Sequence, residues 1–219
     1  MNRLGAFWNS SVGKKAVMAV TGIIGVLFVI GHMVGNLQVF QGADRLNAYG
    51  HLLHGPLNEL VWGARVVLLL ALVLHVLAAY QLTIQNRAAR PIGYAVRTSQ
   101  VSTLASRTLR WGGVLLLAFI IYHLLDLTIG TVNPAFQEGD VYANLLGSMH
   151  RPLIAVFYIV AMAALGLHLY HGAWSSLRTL GVAQASASPL KRRAAVVIAI
   201  IIAVGFAVVP LAVLLGVVK

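Results

Sequence analysis

The stretch AVMAVTGIIGVLFVIGHMVGNLQ, at residues 16–38, decides the fold class of this chain. It contains no Asp, Glu, Lys or Arg, and a helix needs about 20 apolar residues to cross the hydrocarbon core of a bilayer. Four further apolar stretches of similar length lie at about residues 60–84, 109–132, 152–176 and 193–217. The five segments predict an all-α integral membrane protein, with five transmembrane helices bundled into a single membrane domain over residues 1–219.

The basic residues predict the orientation of this bundle. If the five helices alternate in direction, twelve basic residues fall on the side of the N-terminus: Arg3, Lys14, Lys15, Arg87, Arg90, Arg97, Arg107, Arg110, Arg178, Lys191, Arg192 and Arg193. The other four are Arg45, Arg65, Arg151 and Lys219. Because Lys and Arg accumulate in cytoplasmic loops, we expect a cytoplasmic N-terminus and a C-terminus outside. The net charge of +11 is then explained by membrane orientation and does not require nucleic-acid binding. The basic side could bind anionic membrane lipid or a cytoplasmic partner.

The chain contains no cysteine. This excludes a disulfide framework, an iron–sulfur cluster held by the chain's own thiolates, and a haem attached through a CxxCH motif. Neither a GxGxxG nor a GxxxxGK[ST] pattern occurs, which argues against a nucleotide site on this chain.

Four of the predicted helices each contain one histidine. They are His32, His75, His123 and His168, separated by 43, 48 and 45 residues. A histidine inside a bilayer is costly unless it has a partner, so each indicates a functional site. Neutral imidazole is a strong axial ligand of haem iron. Since covalent attachment is excluded, the four histidines predict bound haem of the b type.

The depths of the four histidines predict two pairs. Counted from the nearest cytoplasmic basic residue at the helical rise, His32 and His123 lie at ~25 and ~20 Å, and His75 and His168 at ~18 and ~15 Å. His32 and His123 therefore form an outer pair, and His75 and His168 an inner pair. His171, one turn below His168, is the main rival for the fourth position.

Other residues have two possible roles at this stage. Gly22, Gly25 and Gly35 share a helix face with His32, where they could leave bare backbone beside a flat macrocycle or serve helix packing. Asp126, one turn beyond His123, could accept a proton or hydrogen-bond a ligand, or be an acid at the headgroups. Arg65 could pair with a haem propionate or snorkel to the surface.

The remaining segments give weaker signals. Residues 1–13 could be an interfacial segment or a frayed terminus, and residues 39–59 a short interfacial helix. Pro210 should kink the fifth helix. Three histidines lie in the predicted external loops, where solvation is their expected role, although they could contact a propionate or a quinone: His51, His54 and His150.

Three motifs resemble a known family. SSVGKKAVMAVTG at residues 10–22, GHMVGNL at 31–37 and HLYHGAWS at 168–175 resemble the membrane-anchor cytochrome b of succinate dehydrogenases and fumarate reductases, in its single-chain, five-helix, two-haem form. The resemblance implies that His32 and His123 ligate the iron of a distal haem b, and His75 and His168 that of a proximal one. It places the fourth ligand at the first histidine of HLYHG, which favours His168.

The resemblance also implies a function and partners. The chain would anchor an FAD-containing flavoprotein subunit and an iron–sulfur subunit at the cytoplasmic membrane of a bacterium. It would not oxidise succinate itself, but would pass electrons through two b-type haems to a quinone, most often menaquinone in this type. Some fumarate reductases of this form carry a glutamate where this chain has Gly166, so a transmembrane proton path there is doubtful and succinate oxidation is favoured.

Several alternatives stay open on the sequence. The quinone could bind near the outer haem, beside Asp126, His51 or Glu59. It could also bind at the cytoplasmic face, beside Ser11, Lys14 or Arg97. The chain could instead be the quinol-oxidising cytochrome b of a nitrate reductase or hydrogenase, or a membrane transporter that uses histidines, although transporters usually add acidic or broken-helix sites.

Overall fold

A computed structural model describes residues 2–89, 104–183 and 189–219, and within these ranges the chain is helical and has no strand. The α-helices are α1 (Arg3–Asn9), α2 (Ser11–Asn36), α3 (Ala43–His54), α4 (Asn58–Ala88), α5 (Leu104–His123), α6 (Val141–Met149), α7 (Pro152–Thr179) and α8 (Pro189–Leu214). A 3₁₀ turn, Leu37–Gln41, extends α2, and a π-helical turn, Leu124–Thr128, extends α5. Arg90 and Arg97 lie outside the described residues.

Five helices in the described part of the chain are long and apolar enough to cross a membrane. They are α2 with its 3₁₀ turn, α4, α5 with its π turn, α7 and α8, which confirms the all-α, five-helix prediction. The third span ends earlier than expected. Regular α-helix stops at His123, the wide turn ends at Thr128, and Gly130 then adopts a φ of +85°, which reverses the chain.

The N-terminal residues form a helix–turn–helix corner. Ser10 separates α1 from α2, and its hydroxyl oxygen accepts a hydrogen bond from the Gly13 N–H at 2.8 Å while its own proton goes to the Phe7 carbonyl at 2.8 Å. A Cβ at Gly13 would overlap that Phe7 carbonyl, so the corner requires glycine. The SSVG part of the first motif therefore forms the turn between α1 and α2.

Two short helices, α3 and α6, cover one end of the bundle, which we call the outer end; the opposite end, at the start of α2, is the inner end. The expected short helix within residues 39–59 is present as α3, whereas α6 was not expected. Asn47 on α3 donates to Asp140 at 2.9 Å and accepts from the Tyr142 N–H at 2.9 Å. Asp140 also caps α6 by accepting from the Ala143 N–H. The hydrogen bond from the Ala143 N–H has the largest effect on the pKa of Asp140, followed by the one from Asn47. Both hold this pKa below its usual value.

The four histidine-bearing helices form an arc. Close backbone contacts join α4 to α2, α2 to α7, and α7 to α5, while α8 packs mainly on α7. The helix pairs α2 with α5 and α4 with α7 are thus each separated by one intervening helix. Side chains that meet across such a pair must reach over the interior of the bundle.

The buried side chains concentrate at the outer end and along α7 and α8. One cluster joins α3 and α6 to the ends of α7 and α8 and includes Leu46, Met149, Tyr158 and Val213. By contrast, large apolar side chains such as Leu69 on α4 and Leu153 on α7 are exposed, as expected for a surface that faces lipid. The helix α8 continues through Pro210, so the expected kink does not end it.

Candidate functional site

The structure brings the four membrane histidines together as two pairs. The ring centroids of His32 and His123 are 5.8 Å apart with the planes at 86°, and those of His75 and His168 are 6.2 Å apart at 53°. These are the pairs expected from helix depth. The members of each pair come from α2 and α5 or from α4 and α7, the helices that do not pack on each other.

Both separations fit one iron between two imidazoles. A metal–imidazole bond of about 2 Å plus roughly 1 Å from nitrogen to ring centre, taken twice, places two axial rings about 6 Å apart. The observed values match this distance without any shift of the helices. The intervening helix keeps the two ligand-bearing helices apart, so the rings of each pair meet across the interior of the bundle.

At the inner pair, a hydroxyl sets the orientation of one imidazole. The Thr21 oxygen lies 3.1 Å from Nδ1 of His75. Because the Thr21 proton goes to the Val17 carbonyl at 2.7 Å, the imidazole N–H is the donor in this contact. Nε2 of His75 then keeps its lone pair for a metal.

The other inner imidazole, His168, is held by packing. Its Nδ1 is buried and has no hydrogen-bond partner among the described residues. A Cβ added at Gly113 on α5 would lie 3.8 Å from this ring, and one added at Gly22 on α2 would lie 3.5 Å from the His75 ring. A groove of about 240 Å³ between α5 and α7 reaches His168 and is lined mainly by apolar side chains such as Trp111 and Leu167. The His168 imidazole has a buried nitrogen without a partner and lies beside the bare backbone of Gly113. This environment suits an axial ligand of a flat, apolar macrocycle.

At the outer pair, aromatic rings surround both imidazoles. Phe28 stacks on His32, with centroids 5.3 Å apart and the planes 14° apart, and Phe206 lies 5.8 Å away. Phe119 lies 5.7 Å from His123. The hydroxyl of Tyr158 lies 3.4 Å from Nδ1 of His123, so the outer pair also has one imidazole beside a hydroxyl.

Asp126 is fully buried one turn beyond His123. Its carboxylate accepts hydrogen bonds from Arg151 at 2.7 Å, from Tyr158 at 2.9 Å and from Ser148. Asp126 is 0% exposed, so it is an acid buried within the protein and not one in contact with solvent. Arg151 continues to the Val132 carbonyl, and the group ties the end of α5 to α6 and α7.

The glycine stripe predicted beside His32 has two roles. Gly22 lies beside His75 of the inner pair, and no described atom lies within 4 Å of a Cβ added at Gly25. A Cβ at Gly35 would come within 2.7 Å of the Tyr49 ring, so Gly35 admits α3 against α2. The stripe therefore serves helix packing at one end and the inner pair at the other. Both alternatives expected for this face are thus represented, with close helix packing at Gly35 and bare backbone beside an imidazole at Gly22.

The remaining candidates are placed as follows. His171 is half-buried one turn nearer the C-terminal end of α7, while His168 is the ring that meets His75. Arg65 lies over Trp62 and donates to His54 Nε2 at 3.3 Å. The loop histidines are all exposed: His51, His54 and His150.

The residues suggested for a quinone differ in burial. At the outer end Glu59 and His51 are exposed and Asp126 is engaged in its ion pair. At the inner end Ser11 is exposed, whereas Lys14 is 1% exposed and has no ion-pair partner among the described residues. All five acidic side chains of the chain lie at the outer end: Asp44, Glu59, Asp126, Glu138 and Asp140.

Sequence reasoning missed the hydroxyl partners and the arginine. Thr21 and Tyr158 are ordinary residues of apolar helices, and nothing local marks them as neighbours of a histidine. Arg151 did carry a signal, because it is the basic residue directly before a span that follows a membrane acid. A pairing with Asp126 could have been expected from that placement.

Comparison with known proteins gives one family. The family model described as the succinate dehydrogenase/fumarate reductase transmembrane subunit matches residues 83–208, more than half of the chain. No curated protein and no solved structure matches the chain. The matched region contains α5, α6 and α7 and most of α8, with His123 and His168. The chain therefore belongs to the family of succinate dehydrogenase/fumarate reductase transmembrane subunits, and it is a multi-pass membrane protein.

Proposed function

We propose that the protein is the diheme membrane anchor and electron-transfer subunit of a succinate:quinone oxidoreductase in the bacterial cytoplasmic membrane. The observation that carries this proposal is the presence of two histidine pairs, each at the separation that one iron requires, in a chain of this family. The single membrane domain of residues 1–219 would present both pairs within one bundle.

Each pair would hold one haem b. His32 and His123 are the proposed ligands of the distal haem, and His75 and His168 those of the proximal haem. Bound haems would supply one-electron carriers between the inner and outer ends of the bundle. The chain's own residues orient the imidazoles: Thr21 and Tyr158 contact Nδ1 of one ligand in each pair, which leaves Nε2 of that ligand as the nitrogen for the iron.

The partners proposed for this chain are a flavoprotein with FAD and an iron–sulfur subunit. The family implies association with the other subunits of such a complex. The chain has no cysteine to hold a cluster and no nucleotide motif, so these cofactors must come from partners. The inner end bears basic residues and none of the acidic ones, which suits docking of an acidic surface there. This docking requires the cytoplasmic N-terminus predicted by the loop charges.

The proposed electron acceptor is menaquinone, with succinate oxidation as the direction. Gly166 packs closely on α8, because a Cβ there would lie 3.0 Å from Cβ of Ala203. The membrane carboxylate that some fumarate reductases carry at this position is absent from the sequence, which supports succinate oxidation as the direction. The chain would contribute to quinone reduction without oxidising succinate itself.

The family match favours this function over the two other functions raised by the sequence. It separates the chain from the cytochrome b subunits of nitrate reductases and hydrogenases. The transporter alternative relied on Asp126 as a membrane acid, and that carboxylate is already paired with Arg151.

The proposal is tested by measuring haem in the purified complex. We expect a pyridine haemochrome assay to give two haems b per chain, and we expect succinate to reduce them. A complex with both partner subunits but no b-type absorbance would overturn the proposal. Haem that menaquinol analogues reduce but succinate does not would overturn the proposed direction.

A further inference from the structure

We propose that Tyr158 is a positioning residue for His123 and that the buried carboxylate of Asp126 sets the strength of their contact. The inference rests on the proposed ligation of the distal haem by His32 and His123. It concerns how the chain controls one of its two iron sites, and it assigns a role to a buried acid–arginine pair that the proposed function does not use.

The hydrogen bonds around Tyr158 have one consistent direction. Tyr158 has a single proton, and Oδ2 of Asp126 accepts it at 2.9 Å. The Tyr158 oxygen is therefore left to accept from Nδ1–H of His123, 3.4 Å away. His123 must then present Nε2 as the nitrogen with a free lone pair, which is the tautomer that a metal ligand needs.

Asp126 is held as an acceptor from several sides. Arg151 donates to Oδ1 at 2.7 Å, while Ser148 and Tyr158 both donate to Oδ2. Ser148 and Asp126 are both 0% exposed, so water does not compete for these contacts. Three donors therefore converge on one carboxylate, and the donor on Oδ1 is the cationic guanidinium of Arg151.

The carboxylate increases the electron density on the Tyr158 oxygen, because a hydrogen-bond chain polarises its members cooperatively. A stronger acceptor at Nδ1–H makes the ligand more basic and favours the ferric state of the iron. The hydrogen bonds that link His123 through Tyr158 to Asp126 should therefore lower the reduction potential of the distal haem. It should also fix the plane of the His123 ring.

The inner pair shows that this arrangement is specific to the outer one. The contact at His75 is with Thr21, whose proton goes to a main-chain carbonyl and not to a carboxylate. A hydroxyl thus lies beside one ligand of each pair. Of these two hydroxyls, the one of Tyr158 donates its proton to a charged group, the Asp126 carboxylate. Changes at Tyr158 should affect one haem and leave the other unaltered.

The test uses the intact complex with two substitutions of opposite expected effect. Tyr158→Phe keeps the ring and removes the acceptor, so the distal haem should titrate at a higher potential. Ser148→Ala removes a competing donor from Oδ2, which leaves Asp126 a stronger acceptor for the Tyr158 proton, so the same haem should titrate at a lower potential. Redox titration of the haem absorbance and the g values of the ferric haems are the readouts.

Two further variants make the readout specific. The spectral component that is lost in His32→Ala identifies the distal haem. Tyr142→Phe removes a hydroxyl that bonds the Lys219 carbonyl in the outer cap, so it controls for general loosening of that end. We expect Tyr142→Phe to leave both potentials and both ferric signals unchanged.

The outcomes separate the inference from the function on which it rests. Opposite shifts confined to the distal haem support the inference. Two haems with unchanged potentials and g values in Tyr158→Phe would overturn it and leave the proposed function standing, as would equal shifts in Tyr142→Phe. If Tyr158→Phe does not assemble, Ser148→Ala decides alone. Absence of haem in the wild-type complex would overturn the proposed function itself.

Discussion

Thr21 of α2 and His75 of α4 are joined by a contact of 3.1 Å between the hydroxyl oxygen and Nδ1. Since Thr21 also donates to the Val17 carbonyl in its own helix, the imidazole must donate to Thr21. The contact fixes the tautomer of His75 and directs Nε2 away from α2. The Thr21 hydroxyl donates its proton to a carbonyl of its own helix. Thr21 can therefore accept from His75 without a further buried polar side chain.

Thr21→Val should alter the proximal haem and not the distal one. Valine has a similar shape to threonine but cannot accept the His75 N–H, so the ligand becomes less basic and the proximal potential should rise. Redox titration of the complex, with ferric g values, measures this. Thr21→Ser keeps the oxygen and should remain close to wild type, and an equal shift in both Thr21 variants would contradict the explanation.

Substitution of the pairing histidines should remove haem one site at a time. His32→Ala and His168→Ala should each leave one haem b per chain by pyridine haemochrome assay, because each removes one of the two ligands of a single iron. His171→Ala should retain two, since the ring that meets His75 is that of His168. Two normal haem spectra in His32→Ala would contradict the outer-pair assignment.

The spans and the histidine pairs could be predicted because both depend on local rules. Apolar length marks a span, and helical rise converts the position of His32 or His75 into a depth. Neither inference needs to know which helices are neighbours. The tertiary arrangement then places the two outer rings 5.8 Å apart and the two inner rings 6.2 Å apart.

The outer cap and the Asp126 group could not be predicted in the same way. The helix α6 is short and lies in a polar loop, where its Asp140 cap depends on Asn47, 93 positions away in sequence. The early end of α5 depends on a π turn within an apolar run that would otherwise continue as α-helix. Contacts between residues distant in sequence decide both features, and hydropathy contains no information about them.

Asp140 should make the outer cap sensitive to acid. The N–H of Ala143 and the amide of Asn47 lower its folded pKa, so the folded state binds fewer protons than the unfolded state. The resulting stability is present above 3.8, the reference pKa, and is lost as the pH falls below it. Asp140→Ala should lose about 1 kcal/mol at neutral pH through loss of the α6 cap, and should reduce the acid sensitivity.

Thermal unfolding in detergent at neutral pH and below pH 3.8 measures this effect. Glu138→Ala is the matched control, because it removes an exposed carboxylate from the same loop without removing a helix cap. An Asp140→Ala protein with wild-type acid sensitivity would show that another carboxyl is responsible.

Gly13→Ala should destabilise the corner between α1 and α2. The added methyl group would overlap the Phe7 carbonyl, and such overpacking costs about 1–3 kcal/mol. Gly63→Ala on α4 is the control, because no described atom lies within 4 Å of its added Cβ, and it should stay within about 1 kcal/mol of wild type. Equal free energies of unfolding for the two variants would refute the steric explanation.

Arg151→Met should be among the most destabilising single changes at the outer end. It leaves the fully buried Asp126 carboxylate without its cation, and breaking a buried ion pair in this way costs about 3 kcal/mol or more. The cost should lie near the lower limit because Arg151 is itself 31% exposed and Ser148 and Tyr158 remain as donors. Adding Asp126→Asn to Arg151→Met removes the uncompensated charge, so the double variant should recover part of the loss. Free energies of unfolding for the two single variants and the double variant close the cycle, and purely additive effects would mean that the ion pair does not couple α5 to α7.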